Sequence, residues 1–318
     1  MGSWVKPVLL IIIIITFFCV LPVEASDREE IIFLEDKKGD DYGPGTYEYP
    51  RNSDFAPYQG LLDLIQFKLE KTNKDYFFTF TFGEIRNSWD KESGFTHPLI
   101  EIYIDNQEGG STRSFHDAAR VKFTSDHPWN KLLKISGEFV RLYTPEDEGK
   151  EEDISSTEDI RYTRWDLKDH SLWVENNDII LQLSREKLGN IKEEHLYILV
   201  GSFDPFGPGY YRDILPGESS WSISASDYSQ DELKNAPRVM DTIIPGEKNQ
   251  KEILGNFNEQ NQAVVFPIQI VEEEETEGME EEKTSYQLLV LPLLIIFMVI
   301  GGFYYFKGPP LLDLDLYQ

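Results

Sequence analysis

Between Gly39 and Pro50 the chain reads Gly-Asp-Asp-Tyr-Gly-Pro-Gly-Thr-Tyr-Glu-Tyr-Pro, which puts two adjacent carboxylates into a run rich in glycine and proline. Glycine admits positive φ and proline fixes φ, so such a run turns sharply. Asp40 and Asp41 repel one another unless water, backbone N–H groups or a cation compensates. Calcium suits this chemistry, since it takes about six to eight oxygens and accepts the carbonyls that a glycine-rich turn presents. Asp40 and Asp41 are therefore expected to bind Ca²⁺, with Asp105 or another loop carboxylate completing the shell. The competing expectation is that the two aspartates only accept hydrogen bonds from N–H groups of their own turn.

Aromatic rings offer a second chemistry. Phe206-Gly207-Pro208-Gly209-Tyr210-Tyr211 follows a strong strand, and loops held by a scaffold are where binding residues concentrate. Neighbouring residues of an extended segment take opposite faces, so Tyr210 and Tyr211 are not expected to enter the core together. At least one ring is left to stack on a sugar and to hydrogen-bond through its hydroxyl. Trp89 joins them as an expected ligand-binding residue. Trp129, Trp165, Trp173 and Trp221 are further stock, with core packing the alternative reading of each ring.

Catalysis finds no such footing. His97, His116, His127, His170 and His195 show neither HExxH nor His-x-His spacing for zinc. There is no Gly-x-Ser-x-Gly elbow and no phosphate-cradling glycine loop. A glycosidase needs two carboxylates at a set separation, but a chain with 57 Asp and Glu residues offers such pairs without any motif. Haem needs axial ligands, and Met240 is the only methionine of the expected domain. A formal net charge of −27 argues against nucleic acid as a partner, because phosphate contacts need clustered Lys and Arg. The chain is not expected to be an enzyme.

The elements that must position these residues read as strands. Tyr76 to Phe82 alternates, with Phe78, Phe80 and Phe82 on one side and Thr79 and Thr81 on the other. Leu62 to Leu69 precedes it, and Lys71-Thr72-Asn73-Lys74 is the turn between them. Ile100, Ile102 and Ile104 mark a third strand. Leu132 to Leu142, Asp178 to Leu183, His195 to Ser202 and the closing Pro237 to Pro245 are further strands. Only Arg185 to Ile191 reads as a helical turn. Strands at this spacing, joined by loops rich in Gly, Pro and Asp, predict an all-β, antiparallel two-sheet sandwich over residues 26–245.

The flanks point to a membrane. Residues 1–25 have the layout of a secretory signal peptide, with Lys6, an apolar core and small residues before the expected cut. The sole cysteine, Cys19, leaves with that segment, so no disulfide is expected in the mature domain. After Gly246 the chain turns polar and then acidic, which predicts a stalk over 246–285, since like charges in series extend a chain. Residues 286–306 are long and apolar enough for a single transmembrane helix, leaving 307–318 as a short cytoplasmic tail. The expected location is the cell membrane, with the large N-terminal domain outside.

Several motifs recur in one order. After Gly39 to Pro50 come Asn87-Ser88-Trp89 with Gly94-Phe95, then Ile102-Tyr103-Ile104-Asp105 and His127-Pro128-Trp129. Gly201-Ser202-Phe203-Asp204 then runs into the Phe206 loop, and Pro237-Arg238-Val239-Met240-Asp241 closes the series. Together they resemble the glucodextranase-type C-terminal binding module, a DOMON-like β-sandwich family opened by GDDxGPGxYxYP, over roughly Ile31 to Pro245. The Tyr210-Tyr211 pair stands where the family pattern has a tryptophan. The resemblance implies a free-standing, membrane-anchored, non-catalytic module that binds surface glycan or cell-envelope polymer. The alternative is a structural or assembly protein that positions a membrane transporter or a secreted hydrolase partner.

Overall fold

The computed structural model describes residues 28–150, 166–191, 194–246 and 248–270. In chain order the strands are β1 (Glu29–Glu35), β2 (Leu64–Lys71), β3 (Asp75–Phe82), β4 (Pro98–Asp105), β5 (Val121–Phe123), β6 (Lys131–Ile135) and β7 (Val140–Tyr143). They continue as β8 (His170–Glu175), β9 (Asp178–Ser184), β10 (His195–Ser202), β11 (Ile214–Leu215), β12 (Ile223–Ser224), β13 (Val239–Thr242), β14 (Ala263–Val265) and β15 (Ile268–Gln269). Among the described residues two short helices, α1 (Arg185–Leu188) and α2 (Gln250–Leu254), accompany the strands with a few 3-10 turns. The described residues form an all-β fold, as expected.

Two antiparallel sheets carry the fold. One has the order β1-β2-β3-β9-β8; the other has β13-β10-β4-β6-β7, with β15 sharing the β10 edge with β13. The alternation in β3 works as read, because Phe78, Phe80 and Phe82 are buried in the space between the sheets. The β2–β3 hairpin is closed by Thr72, whose N–H donates to Asp75 O (2.8 Å) while its Oγ1 accepts from Asp75 N–H (3.0 Å). Opposite lie Ile100, Ile102 and Ile104 of β4, Leu133 of β6 and Leu196, Ile198 and Val200 of β10, all in the same cluster. Each such side chain stabilises the fold by about 1.5–3 kcal/mol through its removal from water.

The outer face of the second sheet is closed as well. Leu99 and Tyr103 of β4 and Tyr197 and Leu199 of β10 pack into a second cluster with Phe115, Trp129, Phe203, Tyr210 and Tyr211. Glu101 and Lys134 project into this layer and are both buried. Their charges meet at 2.9 Å. The other Glu101 oxygen accepts from Tyr103 Oη (2.7 Å) and Tyr211 Oη (2.8 Å), so the carboxylate is compensated on every side the layer offers.

Three expectations need correction. The segment Leu132 to Leu142 is two strands, because Ser136, Gly137 and Glu138 turn the chain back: Ser136 N–H donates to Phe139 O (2.9 Å) and its Oγ accepts from Glu138 and Phe139 N–H (3.2 Å each). The domain does not end at Pro245, nor does a stalk start at Gly246. There α2 follows, β14 pairs parallel with β5, and β15 pairs with β10, burying Leu254, Ala263, Val265, Ile268 and Ile270. Third, Tyr210 and Tyr211, of which at least one ring was expected at the surface, are both in the second core. Among the described residues no helix is long and apolar enough to cross a membrane. The expected signal segment 1–25, the span 286–306, the tail 307–318 and Trp165 lie outside the described residues.

Removing one charge from the Glu101–Lys134 pair strands the other in a dry layer, a loss typically of about 3–5 kcal/mol. Glu101→Ala should therefore lower the stability of the domain by that order, read from the urea midpoint. The paired Glu101→Leu/Lys134→Met variant should lose less than the single one.

Candidate functional site

The Gly39–Pro50 turn is pinned against β13. Gly43 N–H donates to Met240 O (2.8 Å), and Tyr47 Oη donates to Pro237 O (2.9 Å). Gly43 has φ 57°, and a Cβ there would come within 2.8 Å of Val239 O, so no other residue fits this approach. The docking carries Asp40 to Asp36 and Asp241, whose carboxylate oxygens all lie within 4.8 Å of one another. Asp63 stands beside them and accepts from Gly39 N–H (2.8 Å). Asp41 accepts from Tyr49 Oη. The fully buried Asp241 accepts from Leu64 N–H (2.7 Å) and Thr242 N–H (2.8 Å). Gln250 of α2 completes the frame, donating to Asp40 O (2.6 Å) and accepting from Thr242 N–H (2.8 Å).

Burial makes these acids weak. It pushes Asp36 up to about 7, with the charges of Asp40 and Asp63 adding, and pushes Asp41 up to about 6. Asp40 and Asp63 are also raised by burial, against the pull of Lys37 and Lys38 respectively. Asp241 is held well above the carboxylate range by burial and by its neighbours Asp36 and Asp40. Asp36 Oδ2 and Asp40 Oδ1 are buried without any protein donor. The donor set is all oxygen and strongly anionic, which fits a hard cation. Of the expected metal ligands, Asp40 belongs to this group, whereas Asp41 stands outside it, bonded to Tyr49 and reached only by the charge of Asp63. Asp105 is elsewhere: it lies with His127 and His195. Asp36, Asp63 and Asp241 were missed, although Leu61-Leu62-Asp63-Leu64 and Val239-Met240-Asp241 each set one carboxylate among apolar residues, a pattern that demands a partner.

The Phe206 loop has a shape the alternation rule did not foresee. Gly209 has φ 58° and Tyr210 φ 69°, so the segment is coiled and alternate residues do not take opposite faces. Tyr210 is 2% exposed and Tyr211 is fully buried. Tyr210 Oη accepts from Arg141 Nη1 (2.6 Å), and Tyr211 reaches Glu101. The exposed ring of this loop is Phe206, at 86%. Its N–H donates to Asp204 Oδ1 (3.0 Å), and Asp204 Oδ2 is paired with Arg212 Nη1 (3.3 Å).

Arg212 holds the neighbourhood together. The same Nη1 donates to Trp221 O (2.6 Å), Nη2 to Phe203 O (2.7 Å) and Nε to Ser202 Oγ (3.2 Å). Trp221 is 48% exposed, and Phe206, Leu215 and Trp221 make up three of the six exposed large apolar residues among those described, so exposure concentrates here. The expected ligand residue Trp89 is half-buried. Its Nε1 donates to Asp54 Oδ2 (2.9 Å), and its ring packs on Phe203 and His97. Trp89 thus packs against Phe203, where β10 leads into the Phe206 loop. Trp129 is core, as the packing alternative held.

Residues 31–268 match the family model described as the C-terminal, SLH-like binding module of glucodextranase. No curated protein matches the chain.

His97 is buried against the Phe55 ring (4.5 Å between centroids) with Nε2 3.1 Å from Ser88 Oγ. Burial, and then the Arg212 charge, pull its pKa down from 6.5 to about 4. A base whose folded pKa is depressed contributes stability that is complete above the unfolded value and disappears as pH falls through the folded one. Between pH 6.5 and 4 the protein should therefore lose up to about 3 kcal/mol more than a His97→Gln variant, measured by urea unfolding at each pH.

Proposed function

Because the chain belongs to the family of C-terminal, SLH-like binding modules of glucodextranase, we propose that it binds carbohydrate or cell-envelope polymer without altering it. The observation that carries this reading is the exposure of Phe206 and Trp221 on one rigid mount, the Arg212–Asp204 pair. A sugar ring stacks its C–H face on an aromatic side chain and turns its hydroxyls to nearby charged groups. Here the frame is the buried Arg212 guanidinium, its donors taken by Asp204, Trp221, Phe203 and Ser202, and the partly exposed Asp204 carboxylate is the charged group open to a hydroxyl. The assembly-protein reading calls for a continuous apolar patch. Instead the exposed Arg51–Glu218 ion pair sits on the stretch of chain bonded to Ser219 and Ser220, just before Trp221, and breaks the surface with charge. In this proposal the acidic segment and the apolar 286–306 hold the domain outside the cell, where protease added to intact cells would remove it.

Retention of the soluble domain on insoluble α-glucans and cell-envelope fractions tests the site. Phe206→Ala and Trp221→Ala should each weaken retention about tenfold, the equivalent of about 1.4 kcal/mol, while leaving the melting temperature unchanged. Equal retention of all three proteins would remove both rings from the site. Release of reducing sugar by the unmodified domain would overturn the non-enzymatic reading.

The carboxylate cluster forms the second part of the proposal: Asp36, Asp40 and Asp241 bind one Ca²⁺, with the charge of Asp63 beside them, and the ion neutralises a repulsion that the turn enforces. Support comes from the two donor-less buried oxygens and from the high proton affinity that burial, with the neighbouring charges, produces. Calcium at about a hundred times its dissociation constant should stabilise the domain by about 2.7 kcal/mol. For a domain of this size that is a rise of about 5–10 °C in Tm. Asp40→Asn and Asp36→Asn should abolish the rise. A wild-type Tm indifferent to calcium and to chelator would refute the site.

A further inference from the structure

Asp105, His127 and His195 come together from three separate segments. Asp105 ends β4 and His195 begins β10, and the two are direct cross-strand partners. His127 arrives from the loop after β5. Its ring stacks on His195 with 3.6 Å between centroids and 25° between planes, and its Nδ1 lies 3.2 Å from Asp105 Oδ2. The possible ligand atoms of all three lie within 4.8 Å of one another.

The loop is not free to place His127 elsewhere. Tyr197 Oη donates to His127 O (2.8 Å) and contacts Thr124 Oγ1 (2.9 Å). Two residues on, Trp129 is buried in the second core, with Nε1 donating to Arg113 O (2.7 Å). β15 pairs Gln269 with His195 and fixes that side too. The histidines floor a cleft of about 480 Å³ whose walls include Thr124, Asp126, Phe266, Pro267 and Gln269. A small molecule or ion can reach them from solvent.

From this geometry we infer that Asp105, His127 and His195 form a site for a divalent transition ion of the zinc class, separate from the all-oxygen aspartate cluster. Two imidazoles and one carboxylate are the donors such ions take, whereas Ca²⁺ prefers oxygen alone. Three protein ligands leave a tetrahedral ion one position, and the cleft is where a fourth ligand enters. Strand pairing sets the backbone of two ligands and a double anchor sets that of the third, so binding has only to turn the stacked rings until their in-plane lone pairs converge. No local motif reveals it, because each ligand comes from a different element. The inference stands apart from the polymer-binding reading and uses none of its residues.

Titration of the calcium-saturated soluble domain with ZnCl₂, followed by calorimetry, tests the site. One equivalent should bind tightly, and His127→Gln and His195→Gln should each weaken it by more than about tenfold. Glu108→Gln, at an exposed acidic residue outside both clusters, should leave zinc binding unchanged. CoCl₂ in place of zinc should give visible d–d bands of a nitrogen-ligated tetrahedral ion, lost in either histidine variant, with melting curves showing that both variants are folded. Absence of zinc binding by the wild type, or equal zinc affinity and cobalt spectra in folded histidine variants, would overturn the inference.

Discussion

A carboxylate on a sheet face closed to water has to be met by protein, and Glu101 is that carboxylate. It projects from the centre of β4 into the second core, where Lys134, Tyr103 and Tyr211 converge on it. An uncompensated buried charge is far more costly than the pair itself, so these partners have little freedom. Tyr211 must come in from the Phe206 loop, and Lys134 also binds Gly209 O of that loop (3.2 Å). The loop is therefore drawn down over the sheet. Both tyrosines are buried by the same pull, and their hydroxyls are taken by Glu101 and Arg141.

That constraint explains which ring is left outside. Once Gly209 and Tyr210 adopt positive φ to bring two consecutive rings inward, Phe206 at the other end of the turn has no place in the layer. The Arg212 bonds to Asp204, Phe203 and Trp221 then fix the outer side of the loop. An exposed ring on a rigid mount loses little freedom on binding, which favours recognition of a repetitive, weakly featured ligand. The aspartate turn works at a different place by a related logic. Gln250, Tyr47 and Gly43 hold the turn on β13, and the price is a group of carboxylates that cannot all ionise at once.

Strands with clean alternation were legible from the sequence. β3, β4, β9 and β10 lie where their apolar periodicity puts them, because one face of each meets the space between the sheets. β1 was not legible: its apolar residues Ile31 to Leu34 are consecutive, and it is an edge strand with much of its surface open. The segment after Gly246 looked like linker because its buried positions are few and spread among polar ones. The turn at Asp40 and Asp41 was recognisable from its residue types. Its distant partners Asp36, Asp63 and Asp241 needed the fold to gather them. The misreading of Tyr210 and Tyr211 had two causes. The alternation rule presumes extended backbone, and a second core on the outer sheet face has no signature apart from apolar residues at both phases of β4 and β10.

The account turns on where a polymer touches the surface. NMR of the isotopically labelled soluble domain, titrated with oligosaccharides released from the cell envelope or from α-glucan, locates that contact residue by residue. The account predicts that shifts concentrate on the amides of Asp204 to Gly207 and the side-chain signals of Arg212 and Trp221, with the Tyr210 and Tyr211 rings undisturbed. Shifts centred on the outer face of the five-stranded sheet, or saturable binding that leaves Phe206 and Trp221 unchanged, would contradict it.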